Sequence, residues 1–259
     1  MKLNIYQIDA FANKPFEGNP AAICPLKSWL SDVLMQSIAA ENNLSETAFF
    51  IPTDAGYHIR WFTPTHEVDL CGHATLASAF VIFSILEYKE KTIIFSSKSG
   101  ELMVSKNEQW LEMDFPASVP NLCVIPKQIT IAFQSQPIEC LKAQDYIVVF
   151  KNEAEILNAK PDMSLLNQLD LRGVIITASS KDYDFVNRFF APKFGINEDP
   201  VTGSAFTQLT PYWSEKLNKK ELIAKQVSKR GGEVNCVYLD KRVKILGKAV
   251  KYMTGSIEI

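Results

Sequence analysis

The chain lacks most features that would declare its class at once. It has no Gly-x-Gly-x-x-Gly turn and no P-loop, so no nucleotide cofactor is implied. Its five cysteines, at 24, 71, 123, 140 and 236, include no Cys-x-x-Cys pair, and their number is odd. A disulfide framework is therefore disfavoured, and a reducing, cytoplasmic location is expected. The net charge of −2 gives no electrostatic case for nucleic acid or an anionic membrane as partner. No basic segment precedes an apolar run at the start; residues 3–11 read instead as a strand. The longest apolar run, 74–86, is too short to span a bilayer and suits a buried helix. What is present is 259 residues, 47% hydrophobic and 22% charged, the composition of a globular protein with one large domain or two ordinary ones.

One stretch occurs nearly twice. Arg60-Trp-Phe-Thr-Pro64 leads through Asp69 to Cys71-Gly72-His73-Ala74, and Arg188-Phe-Phe-Ala-Pro192 leads through Asp199 to Thr202-Gly203-Ser204-Ala205. Each copy reads as an aromatic strand, a loop holding an Asp, and a Gly-x-Ala turn opening a helix. Two related halves follow, each offering a helix N-terminus to a shared site.

In chain order, Leu3–Phe11 alternates as a half-buried strand, Glu17-Gly18-Asn19-Pro20 is a turn, and Ala21–Cys24 returns as a strand. Ser31 caps a helix with Val33, Leu34, Ile38 and Ala39 as its apolar stripe, stopped by Asn42-Asn43. Glu46 lies just before a buried strand at 49–51. Ser45 and Thr47 stand beside it as hydrogen-bonding partners, in an apolar surround able to raise its pKa. The helix from His73 is apolar on every side, as expected of one enclosed by protein. Strands are expected at 57–62, 92–96, 101–105 and 110–115. Pro116 and Pro120 then mark a boundary between halves 1–117 and 118–249, with a final strand in 250–259 able to join the first half. The second half carries strands at 146–150, 174–177 and 185–190, short helices within 152–169 split near Pro161, and a helix over 206–217 weakened by Pro211. Four more strands follow from 224 onwards, with Gly231-Gly232 as a turn. Short strands around one helix per half make an α+β fold, and the lack of repeated βα alternation argues against a doubly wound sheet.

Helix N-termini carry unpaired N–H groups and about half a positive charge each. Two of them facing one cleft suit a carboxylate-bearing substrate. His73 and Asp199 adjoin those turns, and Glu46 can reach the same cleft. Such a set suits proton abstraction and return at carbon. The plainer alternatives are a histidine bonded to backbone and, for Asp69 and Asp199, helix capping. Asp69, Cys71 and His73 alternate like metal ligands, but no second cluster completes a shell, so no metal is expected. A Cys71/His73 nucleophile pair is the weaker reading of the same turn.

Gly18-Asn19-Pro20, Leu44-Ser-Glu-Thr-Ala48, Asp69-Leu-Cys-Gly-His-Ala-Thr75, Asp199-Pro-Val-Thr-Gly-Ser-Ala205 and Gln226-Val-Ser-Lys-Arg-Gly-Gly232, in that order, resemble the PhzF-like proteins, named for an isomerase of phenazine biosynthesis. That resemblance implies a diaminopimelate epimerase-like fold: two pseudo-symmetric halves, each a β-barrel-like roll around a central helix, with the active site in the cleft between them. It implies cofactor-independent isomerisation in a biosynthetic setting, and a homodimer. Glu46 is then the principal acid/base with His73 and Asp199 assisting, while Gly18, Asn19, Gly72, Ala74, Gly203 and Ser204 lie around a small organic acid. The epimerase relatives place a cysteine before the glycine of both turns. Here Cys71 holds the first place and Thr202 the second, which disfavours a two-thiol racemase. Phe206 stands where many PhzF-like proteins have a histidine and is expected to make the pocket more apolar. A Cys71-dependent epimerase and a small-molecule binding protein without activity are the alternatives.

Overall fold

The computed structural model describes residues 1–259. The chain forms two compact units, Met1–Asp114 with Leu246–Ile259, and Phe115–Ile245. No helix is long and apolar enough to cross a membrane.

The first unit begins with β1 (Lys2–Ala10), β2 (Asn19–Pro25), α1 (Asp32–Asn42), β3 (Glu46–Thr53), β4 (Gly56–Phe62) and β5 (Glu67–Val68). It continues with α2 (Gly72–Ser84), β6 (Thr92–Ser97), β7 (Gly100–Asn107) and β8 (Trp110–Pro116). β1 pairs antiparallel with β2, β2 parallel with β3, and β3 antiparallel with β4. β4 takes the short β5 antiparallel and β6 parallel, and β6 runs antiparallel to β7. Around this roll α2 touches β1, β2, β3 and β7. The helix can be enclosed because Ala74, Ala77 and Ala79, all at 0% exposure, let strands approach closely. At α1, Ser31 Oγ accepts from the Leu34 N–H and Asn43 ends the helix in the left-handed region at φ 48°. Its apolar stripe differs from expectation: Val33 is 78% exposed, and Met35 takes the core place beside Ile38 and Ala39. The helix is rotated so that Met35, a longer and more adaptable side chain, fills the space.

The second unit contains β9 (Asn121–Leu122), α3 (Lys127–Phe133), β10 (Glu139–Lys142), β11 (Tyr146–Val149), α4 (Glu153–Asn158), α5 (Met163–Leu166) and β12 (Val174–Ser179). Then come β13 (Phe185–Ala191), β14 (Ile196–Asp199), α6 (Gly203–Leu217), β15 (Glu221–Gln226), β16 (Gly232–Leu239) and β17 (Arg242–Gly247). β10 and β11 are antiparallel, β11 and β12 parallel, β12 and β13 antiparallel. β13 takes β14 antiparallel and β15 parallel, and β15 and β16 are antiparallel. The order and sense of pairing repeat those of the first unit, with α6 in the place of α2. The fold is thus α+β with two pseudo-symmetric halves. The last strand, β18 (Ala249–Glu258), returns to the first unit and pairs antiparallel along β1.

Pro211 does not break α6. A proline lacks the N–H that would bond the carbonyl four residues back. That carbonyl, on Thr207, accepts from the Ser118 N–H at 3.0 Å instead, so the helix runs on to Leu217. Phe206 is not a pocket residue as expected. It is fully buried, packed on the Phe185 ring at 6.2 Å, because the first turn of α6 points it into the unit's own core.

Candidate active site

In the first unit three elements converge. Asn19 opens β2, Glu46 opens β3 opposite Ala21, and Cys71 is the N-cap of α2. Glu46 is therefore the first residue of a strand and not a loop residue. Thr47, expected to support it, instead accepts from Asn42 Nδ2 at 3.1 Å. The partner of Glu46 is His73: Nε2 stands 3.1 Å from Oε2, with side chains 8% and 13% exposed. Neither atom has a well-aligned hydrogen bond, so the contact is an ion pair with capacity to spare. On the other edge of the ring, Nδ1 lies 3.5 Å from Cys71 Sγ and 3.3 Å from Asn19 Nδ2.

Burial alone would raise the Glu46 pKa, as expected from its apolar surround. The outcome is the reverse: the charge of His73 at 3.1 Å, with help from Cys71, holds the carboxyl below its ordinary value. Burial likewise opposes charge on His73, yet the negative groups around it raise it well above 6.5. Burial pushes the Cys71 thiol up to about 11, so it is a neutral thiol near pH 7, and Glu46 is the group that sustains the imidazolium there. With Nδ1 protonated, Asn19 serves the ring through its amide oxygen, an orientation that an amide flip exchanges.

The two groups set opposite pH limits. Glu46, depressed on folding, stabilises the fold fully above about 4.5 and loses that contribution as pH falls through its folded value. His73, raised on folding, contributes fully below about 6.5 and loses it as pH rises through its folded value. The Tm gap between wild type and Glu46→Gln is accordingly largest between those values and narrows on both sides. A pH series of thermal melts measures it, and a gap that widened towards acid pH would contradict the pair.

Glu46, Cys71 and His73 hold one potential ligand atom each within 4.8 Å of the others, so the expected metal-like trio is re-formed with Glu46 in place of the exposed Asp69. The thiol faces Nδ1 and the carboxylate faces Nε2. One imidazole nitrogen cannot serve both, which favours proton traffic over a converging metal shell. Gly72 is the first residue of α2, and the Cys71 side chain makes no cap hydrogen bond there. Ala74 is buried one turn in. Gly18 has a structural reason of its own: at φ +67°, a Cβ would sit 2.1 Å from the Ala10 carbonyl oxygen.

The second unit builds the corresponding turn from different chemistry. Thr202 is the N-cap of α6, again without a side-chain cap. Its Oγ1 donates to Asp199 Oδ2 at 2.5 Å, so Asp199 engages the cap residue. Gln226, fully buried, accepts from the Thr202 N–H and donates to the Asp199 carbonyl. Beside Gly203, Ser204 Oγ accepts from Arg172 Nη2 at 2.9 Å. Arg172 also grips Asp145, which Gln208 Nε2 supports at 2.7 Å. Sequence reasoning missed Arg172, Asp145 and Gln208, which lie up to 63 residues apart along the chain.

The two copies share a second correspondence. Counting back five residues from each turn glycine gives Glu67 and Glu198. Arg60 takes Glu67 through Nε and Nη2 at 2.7 and 2.9 Å, and Arg188 takes Glu198 the same way at 2.6 and 3.0 Å. Each arginine also lies over a phenylalanine, Phe62 at 5.2 Å and Phe190 at 5.1 Å. The acid shared by the two copies is therefore this glutamate, while Asp199 matches Val68 and not Asp69.

This geometry can be set beside known proteins. The family model of phenazine biosynthesis-like proteins (PhzC-PhzF) matches residues 8–255. The chain belongs to that family. An uncharacterized isomerase of Pseudomonas aeruginosa is 49% identical over the full length of both chains. A crystal structure of a phenazine biosynthesis protein of the PhzF family from Enterococcus faecalis has a TM-score of 0.98 at 46% identity, covering 100% of both chains. A hydroxyproline epimerase from Agrobacterium vitis shares the fold alone, with a TM-score of 0.63 at 8% identity, covering 99% of this chain and 92% of its own. The protein is an enzyme of the isomerase class.

Proposed function

We propose that the protein moves a proton between carbons of a small carboxylate-bearing metabolite, without a cofactor, with Glu46 taking the proton and returning it. The observation that carries this reading is the buried Glu46–His73 pair at the uncapped start of α2. His73 keeps Glu46 an anion able to accept the proton, and its own proton can answer charge developing on the substrate. The uncapped N–H groups around Gly72 favour an anionic ligand. Gly18, Asn19 and Ala74 complete this side. Asp199, as an assisting acid/base, and Gly203 and Ser204, as substrate contacts, are part of the same proposal.

The repeated topology favours one base over two. Thr47 pairs with Phe62 and Val174 with Phe190, so in this register Glu46 answers to Gly173, which carries no side chain. Cys71 likewise answers to Thr202. Neither of these two positions in the second unit carries a base, which supports a proton that leaves and returns on one side. The Cys71-dependent epimerase is less favoured, because its thiol is neutral near pH 7. A thermal-shift screen of small aromatic, cyclic and amino acids should raise Tm for carboxylate-bearing members only, since a ligand bound to the folded state alone stabilises it. Equal shifts from the matching amides would count against the reading. A cytoplasmic homodimer is part of the same proposal, and a monomer mass by light scattering would remove the dimer.

A further inference from the structure

The first unit's chemistry leaves unused a pair of thiols in the second. Cys123 directly follows β9, whose Leu122 and Asn121 pair with Leu141 and Lys142 of β10. Continuing that register sets Cys123 opposite Cys140. The Cys123 N–H donates to the Cys140 carbonyl at 2.9 Å, and the two sulfurs lie 3.6 Å apart. Directly opposed residues in an antiparallel pair have Cα separations of about 4.5–5.5 Å, within the span a disulfide bridges. The sulfurs need to close by about 1.5 Å to reach bonding distance. Both are free thiols.

The surroundings differ between the two. Cys140 is 1% exposed within the hydrophobic core of the unit, and Cys123 packs against that core from its edge, half-buried. On either side of Cys123, Leu122 and Val124 are 72% and 90% exposed, so the segment lies open to solvent-borne reagents. β9 is only two residues long and is held by few ladder hydrogen bonds. A short strand of this kind has freedom to shift its sulfur by the distance required.

We propose that Cys123 and Cys140 form a reversible dithiol–disulfide site that peroxide-class oxidants close and small thiols reopen. Peroxide converts the Cys123 thiol to a sulfenic acid, releasing one water. The Cys140 sulfur then displaces the hydroxyl from that sulfur, and its own proton leaves with the hydroxyl as a second water. Two thiols give up two hydrogens, one peroxide becomes two waters, and the bond formed is S–S. The bridge fastens β9 and the chain leading into α3 to β10.

The site is independent of the acid–base reading and is tested separately. The purified full-length protein is treated with hydrogen peroxide at a few equivalents, alkylated and digested with trypsin. Cutting after Lys127 separates peptide 107–127, holding Cys123, from 128–142, holding Cys140. The expected product is these two peptides joined, an intact mass lower by about two hydrogens, and a Tm raised by several degrees. Dithiothreitol should reverse all three. Cys123→Ser should lose the linkage, while Cys236→Ser should keep it. Separate peptides with oxygen added at Cys123, or a bridge from either thiol to Cys24, Cys71 or Cys236, would overturn the proposal.

Discussion

Glu46→Gln should lower turnover by about 10²–10⁴-fold, the usual worth of one acid–base group, while the folded state survives. Glutamine keeps the size and one carbonyl acceptor of the carboxylate but cannot take a proton from carbon. The side chain is already 13% exposed and at the end of a strand, so the amide finds room. His73 loses the anion that sustains its charge, and with burial still opposing that charge its pKa should fall. NMR titration of the imidazole reads that fall directly. Unchanged turnover would remove Glu46 from the mechanism, and an unchanged His73 titration would remove the ion pair as its cause.

Arg172→Met should destabilise the protein by about 3 kcal/mol at neutral pH, at the low end of the cost of breaking a buried ion pair. The carboxylate of Asp145 has no exposed surface, and Arg172 supplies two of its charged hydrogen bonds. Gln208 Nε2 and solvent entering from the Arg172 side, itself 35% exposed, are what remain to it. Adding Asp145→Asn should restore most of the loss, because no stranded charge is left buried. Ser204 loses its donor in both variants, so turnover should stay reduced where stability returns. Urea denaturation of the single and double variants measures the first effect. A loss below about 1 kcal/mol, the worth of an exposed pair, would show that Asp145 is hydrated.

The parts of this fold that depend on local patterning were legible in the sequence. Ser31 and Asn43 announce the ends of α1 through side-chain and left-handed backbone chemistry, which act within a few residues. The all-round apolar run after His73 marks an enclosed helix. Periodicity could not say which way α1 turns, because Val33 and Met35 are both apolar and only packing chooses between them. Pro211 reads as a helix breaker until Ser118, far away in sequence, is seen to take the freed carbonyl.

The site divides the same way. Glu46, His73 and Cys71 stood out by type, but their electrostatics did not follow from type. An apolar surround argued for a raised carboxyl pKa, and only the 3.1 Å approach of His73 reverses the direction. The pairing of Asp69 with Asp199 rested on a loose match between copies. Register counted from the glycines replaces it with Glu67 and Glu198, each held by an arginine. Arg172 and Asp145 belong to no motif and are joined only by the folding of distant strands.

The central claim is that one carboxylate, Glu46, exchanges the substrate proton, with Cys71 as a bystander. With the acid that the ligand screen identifies, deuterium incorporation from D₂O is followed in wild type, Glu46→Gln and Cys71→Ala. The account predicts that exchange persists in Cys71→Ala and collapses in Glu46→Gln. Exchange that survives in Glu46→Gln and disappears in Cys71→Ala would contradict it and return the chemistry to the thiol.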